Sequence, residues 1–146
     1  MKTITLQEVL DKNYEWFVVK KQPRSMDINY KRCAYRGADG AQCAIGCVIP
    51  DSLYDPNMED GLNGIGTFLS GFETERQPLV EFFKDIPVSA LQELQSIHDV
   101  YYGQCSYRFD LYMDKNLRLF AKTHNLNYPN ENHENNKDNN ITAGVR

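Results

Sequence analysis

Cysteine and isoleucine alternate through residues 43–49, as Cys43, Ile45, Cys47 and Ile49, and this short pattern bears on the fold class more than any other stretch. Alternate side chains of an extended strand share one face, so these four would build an apolar surface. In residues 30–36, Cys33 and Tyr35 fall on one face and Arg32 and Arg36 on the other. The two segments flank Ala38, Asp39 and Gly40. A two-residue Asp39-Gly40 turn would set Arg36 opposite Cys43, a charge against the apolar face. A three-residue loop, Ala38–Gly40, sets Tyr35 opposite Cys43 and Cys33 opposite Ile45, with Gly40 in the left-handed position. That register keeps the apolar faces together. The pattern predicts a β-hairpin or small antiparallel sheet with three thiols turned inward.

The flanking sequence reads as helix. Thr5 and Glu8 have capping-box spacing. Leu6, Val9, Leu10 and Phe17 recur at helical intervals, Asn13 breaks the stripe, and Pro23 is expected to end the helix. Short helical segments are predicted after Asp51, around Leu62, Ile65, Phe68, Leu69 and Phe72, and across residues 78–86. A clearer helix covers residues 90–102, with Ser89 and Gln92 at capping spacing and Leu91, Leu94, Ile97, His98 and Tyr101 inward. Gly103 closes it, and Ser106 is placed to cap a last helix over residues 107–124. The predicted fold class is therefore α+β: an N-terminal helix, a β-hairpin or small antiparallel sheet, then a helical C-terminal half.

A chain of 146 residues, 41% of them hydrophobic, can bury one core without staples. Residues 1–127 are expected to form a single globular domain. Residues 128–146 read as a flexible Asn-rich tail, because residues 130–140 contain no apolar side chain to offset the entropy of ordering. The chain has no apolar run approaching the ~20 residues of a membrane span, and no signal-like apolar stretch near its start. A cytoplasmic setting with reduced thiols is expected for the four cysteines.

The formal net charge is −4, and its distribution is uneven. Lys20, Lys21, Arg24, Lys31, Arg32 and Arg36 cluster against Asp27 alone, whereas residues 51–75 hold only acidic charges. The plainer reading is that the two segments face each other; the sharper one is a bipolar surface that steers a charged partner. Overall acidity argues against a nucleic-acid binder.

Three kinds of chemistry fit the residue types. Zinc binding by Cys43 and Cys47 with Cys33 and Cys105 is disfavoured, because four strand residues separate Cα atoms by roughly 13 Å. No metal and no other cofactor is expected. A thiol hydrolase would need Cys33, Cys43 or Cys47 beside His98. Asp99, about 100° around the helix from His98, is not expected to orient it. The third is a cleft of polar groups at element ends: Tyr35, Arg36, Asp51, Tyr54, Glu59, Asp60, His98 and Asp99. There an arginine and a tyrosine would grip an anionic or aromatic ligand. The competing account is an internal network in which Arg36 pairs with a loop carboxylate.

The string CAYRGADGAQCAIGCVIPDSLYDPNMEDG at residues 33–61, with Leu94, Gln95, Ile97, His98 and Asp99 further on, resembles a pattern met in small uncharacterised proteins of phages and bacteria. The resemblance covers about half of the chain and brings no activity. It implies an intracellular setting and a phage or prophage source. The leading expectation is then a non-enzymatic binding protein with a protein partner, a phage-encoded modulator of a host or defence factor. The rivals are a small Cys–His hydrolase and a binder of a small anionic ligand around Arg36, Asp51 and Glu59.

Overall fold

A computed structural model describes residues 2–27, 29, 32–59, 64–70, 77–101 and 108–129. Tyr30, Lys31, Asp60, Leu62, Phe72, Tyr102, Gly103, Cys105 and Ser106, together with the tail from residue 130, lie outside the described residues.

Helix α1, Leu6–Tyr14, starts as its sequence dictates. Thr5 Oγ1 accepts the Glu8 N–H at 3.1 Å, and the Glu8 carboxylate reaches back to the Thr5 N–H. Two orphan donors of the first turn are thereby satisfied. Val9, Leu10 and Phe17 are buried. So is Asn13, whose Nδ2 donates to the carbonyls of Val9 at 2.9 Å and Ala44 at 3.0 Å. Beyond Tyr14 the helix widens into a π-helical turn, Glu15–Val19. The Lys20 N–H then bonds the Glu15 carbonyl, and Lys21 adopts φ 52°. The helix has therefore ended before Pro23 is reached.

The α+β expectation is wrong: 54% of the described residues are helical, and no β-sheet or hairpin forms among them. The chain does reverse at Ala38–Gly40, with Gly40 at φ 77°. Two isolated antiparallel bridges, Met26–Cys33 and Arg36–Gln42, are all the extended pairing present in the described residues. Cys43 donates its N–H to the Tyr35 carbonyl at 3.0 Å, and there the chain coils instead of continuing. Cys47 N–H bonds the Cys43 carbonyl at 3.0 Å, and Val48 N–H the Ile45 carbonyl at 3.1 Å.

The residues between the alternating ones explain the difference. A half-exposed strand needs a polar second face, but Ala44, Gly46 and Val48 are as buried as Cys43, Ile45 and Ile49. A stretch buried on all sides carries no period-two constraint. Its Cys43–Cys47 and Ile45–Ile49 spacings fit a helical turn equally well. Gly46 makes the coil feasible, since a Cβ there would sit 1.8 Å from the Tyr35 carbonyl oxygen.

Helices α2, Ile65–Leu69, and α3, Gln77–Phe82, are short. Helix α4, Val88–Asp99, has Pro87 at its N-cap, so Ser89 lies inside the helix and caps nothing. Its buried face carries Ala90, Leu91, Leu94 and His98. Helix α5, Phe109–Thr123, buries Met113, Leu117, Phe120 and Ala121. α5 packs on α1, its π-helical turn and α4, while α2 packs on α4. None of the helices among the described residues is long and apolar enough to cross a membrane.

The core extends one residue past the expected boundary at 127. Tyr128 is buried, its ring edge-on to Tyr14 at 5.3 Å and beneath the Arg118 guanidinium at 4.8 Å. Its hydroxyl bonds the Asp114 carboxylate. Gln7 exchanges two hydrogen bonds with the Asn127 backbone, which fastens this segment to α1.

The close approach at Gly46 is testable. Gly46→Ala is expected to lower the unfolding free energy by about 3 kcal/mol, because backbone rather than a pliant side chain must give way. Gly40→Ala, where no atom lies within 4 Å and only the positive φ is at issue, should cost about 1 kcal/mol. Urea denaturation of both variants makes the comparison, and equal losses would contradict the contact at Tyr35.

Candidate functional site

The extended segment after α1 runs past the C-terminal end of α4 and is held there by His98. The Ser25 N–H donates to His98 Nε2 at 2.9 Å, and His98 Nδ1 lies 2.7 Å from Asp99 Oδ1. A backbone N–H can only donate, so Nε2 holds the lone pair and Nδ1 the proton, which it donates to Asp99. The imidazole is fully buried, with Phe17 and Phe109 each 5.8 Å from its centre. The expectation that Asp99 would not orient His98 is therefore corrected. Asp99 is the last residue of α4, and its carboxylate curls back to the preceding side chain.

Residues 24–27 and 32–37, the loop around Met58 and Glu59, and the end of α4 line a cleft of about 560 Å³. Cys33, Tyr35, Arg36, Cys43, Glu59 and Asp99 line it. His98 is not in the wall but directly behind it. Asp51 and Tyr54 lie outside the wall and hold Arg36 in place. Arg36 Nη1 pairs with Asp51 at 2.7 Å, its Nη2 donates to the Ile49 carbonyl at 2.8 Å, and its guanidinium lies 4.5 Å over the Tyr54 ring. Asp60 lies outside the described residues.

The Glu59 carboxylate does not pair with Arg36's guanidinium. It accepts the backbone N–H groups of Tyr35 at 2.8 Å and Arg36 at 3.3 Å. Arg36 thus pairs with Asp51, and the backbone beside it is held by Glu59. Arg32 adds to it through a bond to the Glu59 carbonyl and a 3.7 Å pairing with Asp27.

Sequence reasoning missed Arg24 and Gln95 in this wall. Arg24 was visible as one of the clustered basic residues, but nothing in the spacing set it apart. Its Nη2 donates to the Asp99 backbone carbonyl. No carboxylate lies within ion-pairing distance of it among the described residues, and its Nε–H is buried with no acceptor. Tyr35 Oη is likewise buried and unpartnered. Gln95 approaches the phenol without reaching hydrogen-bond geometry, and its Oε1 is taken by the Ile65 N–H at 2.9 Å.

The thiols are not poised for nucleophilic work. Burial, reinforced by the Asp99 carboxylate and opposed by Arg24, pushes Cys33 up to about 11. Burial pushes Cys43 up to about 12 against the pull of the Gly46 N–H, and it raises Cys47 well above the ordinary thiol value. A catalytic thiol needs the opposite shift and a free imidazole lone pair. Both His98 nitrogens are already engaged.

The same argument bears on metals. Cys33, His98 and Asp99 offer ligand atoms within 4.8 Å of one another. With Nε2 bonded to Ser25 and Nδ1 protonated, however, the imidazole has no lone pair to give. The separation expected between Cys43 and Cys47 is also corrected, because the helical turn brings them together. Even so, Cys43 Sγ accepts the Gly46 N–H at 3.2 Å and Cys47 Sγ donates to the Ala44 carbonyl at 3.6 Å.

No family model, no curated protein and no solved structure matches this chain. What the cleft does must be read from its own chemistry.

The raised Cys33 pKa has a measurable consequence. Against an ordinary thiol at 9.0, the thiolate fraction at pH 8 falls from about one in ten to about one in a thousand. Alkylation of Cys33 by iodoacetamide, followed on its peptide by mass spectrometry, should run about a hundredfold slower than in the unfolded chain. An acid that ionises earlier unfolded than folded destabilises the fold as pH rises through that window. The wild type should therefore lose stability between pH 9 and 11 relative to Cys33→Ser. Fast alkylation at neutral pH would contradict this environment.

Proposed function

We propose that the protein is a non-enzymatic binding protein, and that the cleft between residues 32–37 and the end of α4 is where its ligand sits. One observation carries this reading. Tyr35, Arg36, Glu59, Asp99 and Cys33 converge on one concavity, while the His98 imidazole that a thiol hydrolase would use is locked between Ser25 and Asp99.

The volume falls within the range of small-molecule sites. Its wall mixes apolar surface from Ala34, Met58 and the Tyr35 ring with charged groups at fixed positions. Those positions are held from outside the cleft. Arg36 is gripped by Asp51, Ile49 and Tyr54, and the backbone of residues 35–36 is pinned by Glu59. Such bracing orients binding groups before a ligand arrives, which lowers the ordering cost of association. Burial raises the pKa values of the thiols, and the His98 imidazole has no free lone pair with which to draw a thiol proton.

A small-fragment screen read by 1H–15N NMR tests the proposal. Bound fragments should perturb the amides of Cys33, Tyr35, Arg36 and Gln95 together, and Lys115→Gln, which lies outside the lining, should bind them with unchanged affinity. A burst of p-nitrophenyl acetate cleavage that vanishes in Cys33→Ser would overturn the proposal in favour of the hydrolase. So would a screen in which no fragment moves those amides.

A further inference from the structure

We propose that Cys33 and Met26, with the Asp99 carboxylate, form a binding site for a soft monovalent metal ion of the Cu(I) class. The site opens on the cleft through Cys33 and Asp99, and its chemistry is independent of any organic ligand that the cleft takes.

The backbone sets the two sulfurs side by side. Met26 and Cys33 face each other as an isolated antiparallel bridge. The flanking hydrogen bonds run from the Asp27 N–H to the Arg32 carbonyl at 2.9 Å and from the Ala34 N–H to the Ser25 carbonyl at 3.3 Å. Met26 and Cys33 are therefore the non-hydrogen-bonded pair between them, the arrangement in which opposed side chains come closest. Cys33 Sγ lies 3.9 Å from Met26 Sδ. Metal–sulfur bonds of about 2.3 Å that meet at a trigonal angle hold their sulfurs about 4 Å apart. The pair is already spaced to share an ion.

Helix α4 brings the third donor. The Cys33 sulfur, an Asp99 carboxylate oxygen and a His98 ring nitrogen lie within 4.8 Å of one another. His98 is committed to Ser25 and Asp99 and has no lone pair to give. The Asp99 carboxylate accepts the imidazole N–H, but its two oxygens carry about four lone-pair positions and keep others for a metal. The Met26 thioether thus stands where a zinc site would use an imidazole. Thiolate and thioether sulfur suit soft ions such as Cu(I), whereas Mg and Ca take oxygen ligands.

A monovalent ion enters without changing the local charge. The Cys33 thiol, its pKa pushed up by burial to about 11, carries its proton at neutral pH. On binding, the Sγ–H bond breaks, an Sγ–metal bond forms, and the proton passes to solvent. One positive charge replaces another, so the Arg24 guanidinium at the Asp99 carbonyl meets no added repulsion. Zinc would add a charge beside it. A structural zinc site also takes four donors, and with the imidazole set aside this corner has Cys33, Met26 and Asp99.

Titration of the full chain with Ag(I), a redox-stable stand-in for Cu(I), tests the assignment by NMR of 13C-methyl methionine and of the backbone amides. The first equivalent should shift the Met26 methyl and the Cys33 amide ahead of the Met58 and Met113 methyls and the Cys43 and Cys47 amides. Cys33→Ser should abolish the Met26 shift. Met26→Leu nearly conserves volume and keeps the fold, which an unmoved Ser25 amide confirms; it should weaken Ag(I) by at least about tenfold. Cys47→Ser should change neither the shifts nor the affinity. Zn(II) at the same concentration should leave the Met26 methyl in place. Equal Ag(I) affinity in wild type and Met26→Leu would overturn the site, because a thiol alone would then suffice. So would first occupancy at Cys43 or Cys47, or Zn(II) binding at Met26 more tightly than Ag(I). The fragment screen is read without metal, so failure of the metal site leaves the binding reading untouched.

Discussion

Much of this structure depends on one hydrogen bond, from the Ser25 N–H to the buried His98 Nε2. It fastens an irregular segment to the helix that carries the imidazole. Further pairings then build outward from that segment: Ala34 N–H to the Ser25 carbonyl and Ala38 N–H to the Met26 carbonyl. The imidazole is braced on its other side by Asp99 and packed between Phe17 and Phe109. A buried ring with both nitrogens satisfied suits such a junction, because any rotation would orphan two polar groups at once. The same bond brings Arg24 to the C-terminal end of α4, where its guanidinium reaches the Asp99 carbonyl and a cation is favoured by the exposed carbonyl dipoles.

Glu59 performs the equivalent task for the neighbouring loop. In a hairpin or sheet, backbone donors are satisfied by a partner strand. Here a half-buried carboxylate takes the N–H groups of Tyr35 and Arg36. Charge-assisted bonds of this kind are stronger than ordinary backbone pairs, so a chain that offers one has less need of a ladder. With those donors engaged and Gly46 permitting contact with the Tyr35 carbonyl, residues 43–48 are free to coil and bury both sets of side chains.

This explains which features the sequence could reveal. Local signals were legible where local chemistry decides. The Thr5–Glu8 capping box, the stripes of α4 and α5, and the reversal at Ala38–Gly40 each depend on residues a few positions apart. The β reading failed because it followed Cys43, Ile45, Cys47 and Ile49 and ignored their neighbours. Ala44, Gly46 and Val48 lack the polarity that makes alternation diagnostic. The network around Arg36 could be anticipated from opposed charges, but its pairing could not. Choosing Asp51 over Glu59 as the partner is a matter of tertiary geometry. Arg24 and Gln95 escaped notice for the same reason, since nothing within a few residues of either hints at a shared wall. Asn13 looked like a flaw in an apolar stripe and is instead a buried tie to the Ala44 carbonyl. Tyr128 was assigned to the tail because its neighbours in sequence are polar, although its ring contacts come from α1 and α5.

The unsatisfied donors in the cleft place binding and stability on one scale. Arg24 Nε–H and Tyr35 Oη are removed from water without a protein acceptor, and each such group costs the fold about 1–3 kcal/mol. Arg36 Nε is a third such donor in the same wall, so the demand for an acceptor is spread along the wall beside well-satisfied groups such as Glu59 and His98. Any molecule that meets the demand regains what desolvation took, and it binds the folded chain in preference to the unfolded one. Occupancy must then raise stability in proportion to the logarithm of ligand excess over its dissociation constant. The rigidity of the surrounding network makes that gain selective. The backbone carbonyls of residues 35–36 cannot turn toward these donors without releasing the N–H groups that Glu59 holds. The fold therefore cannot satisfy these donors cheaply from its own backbone.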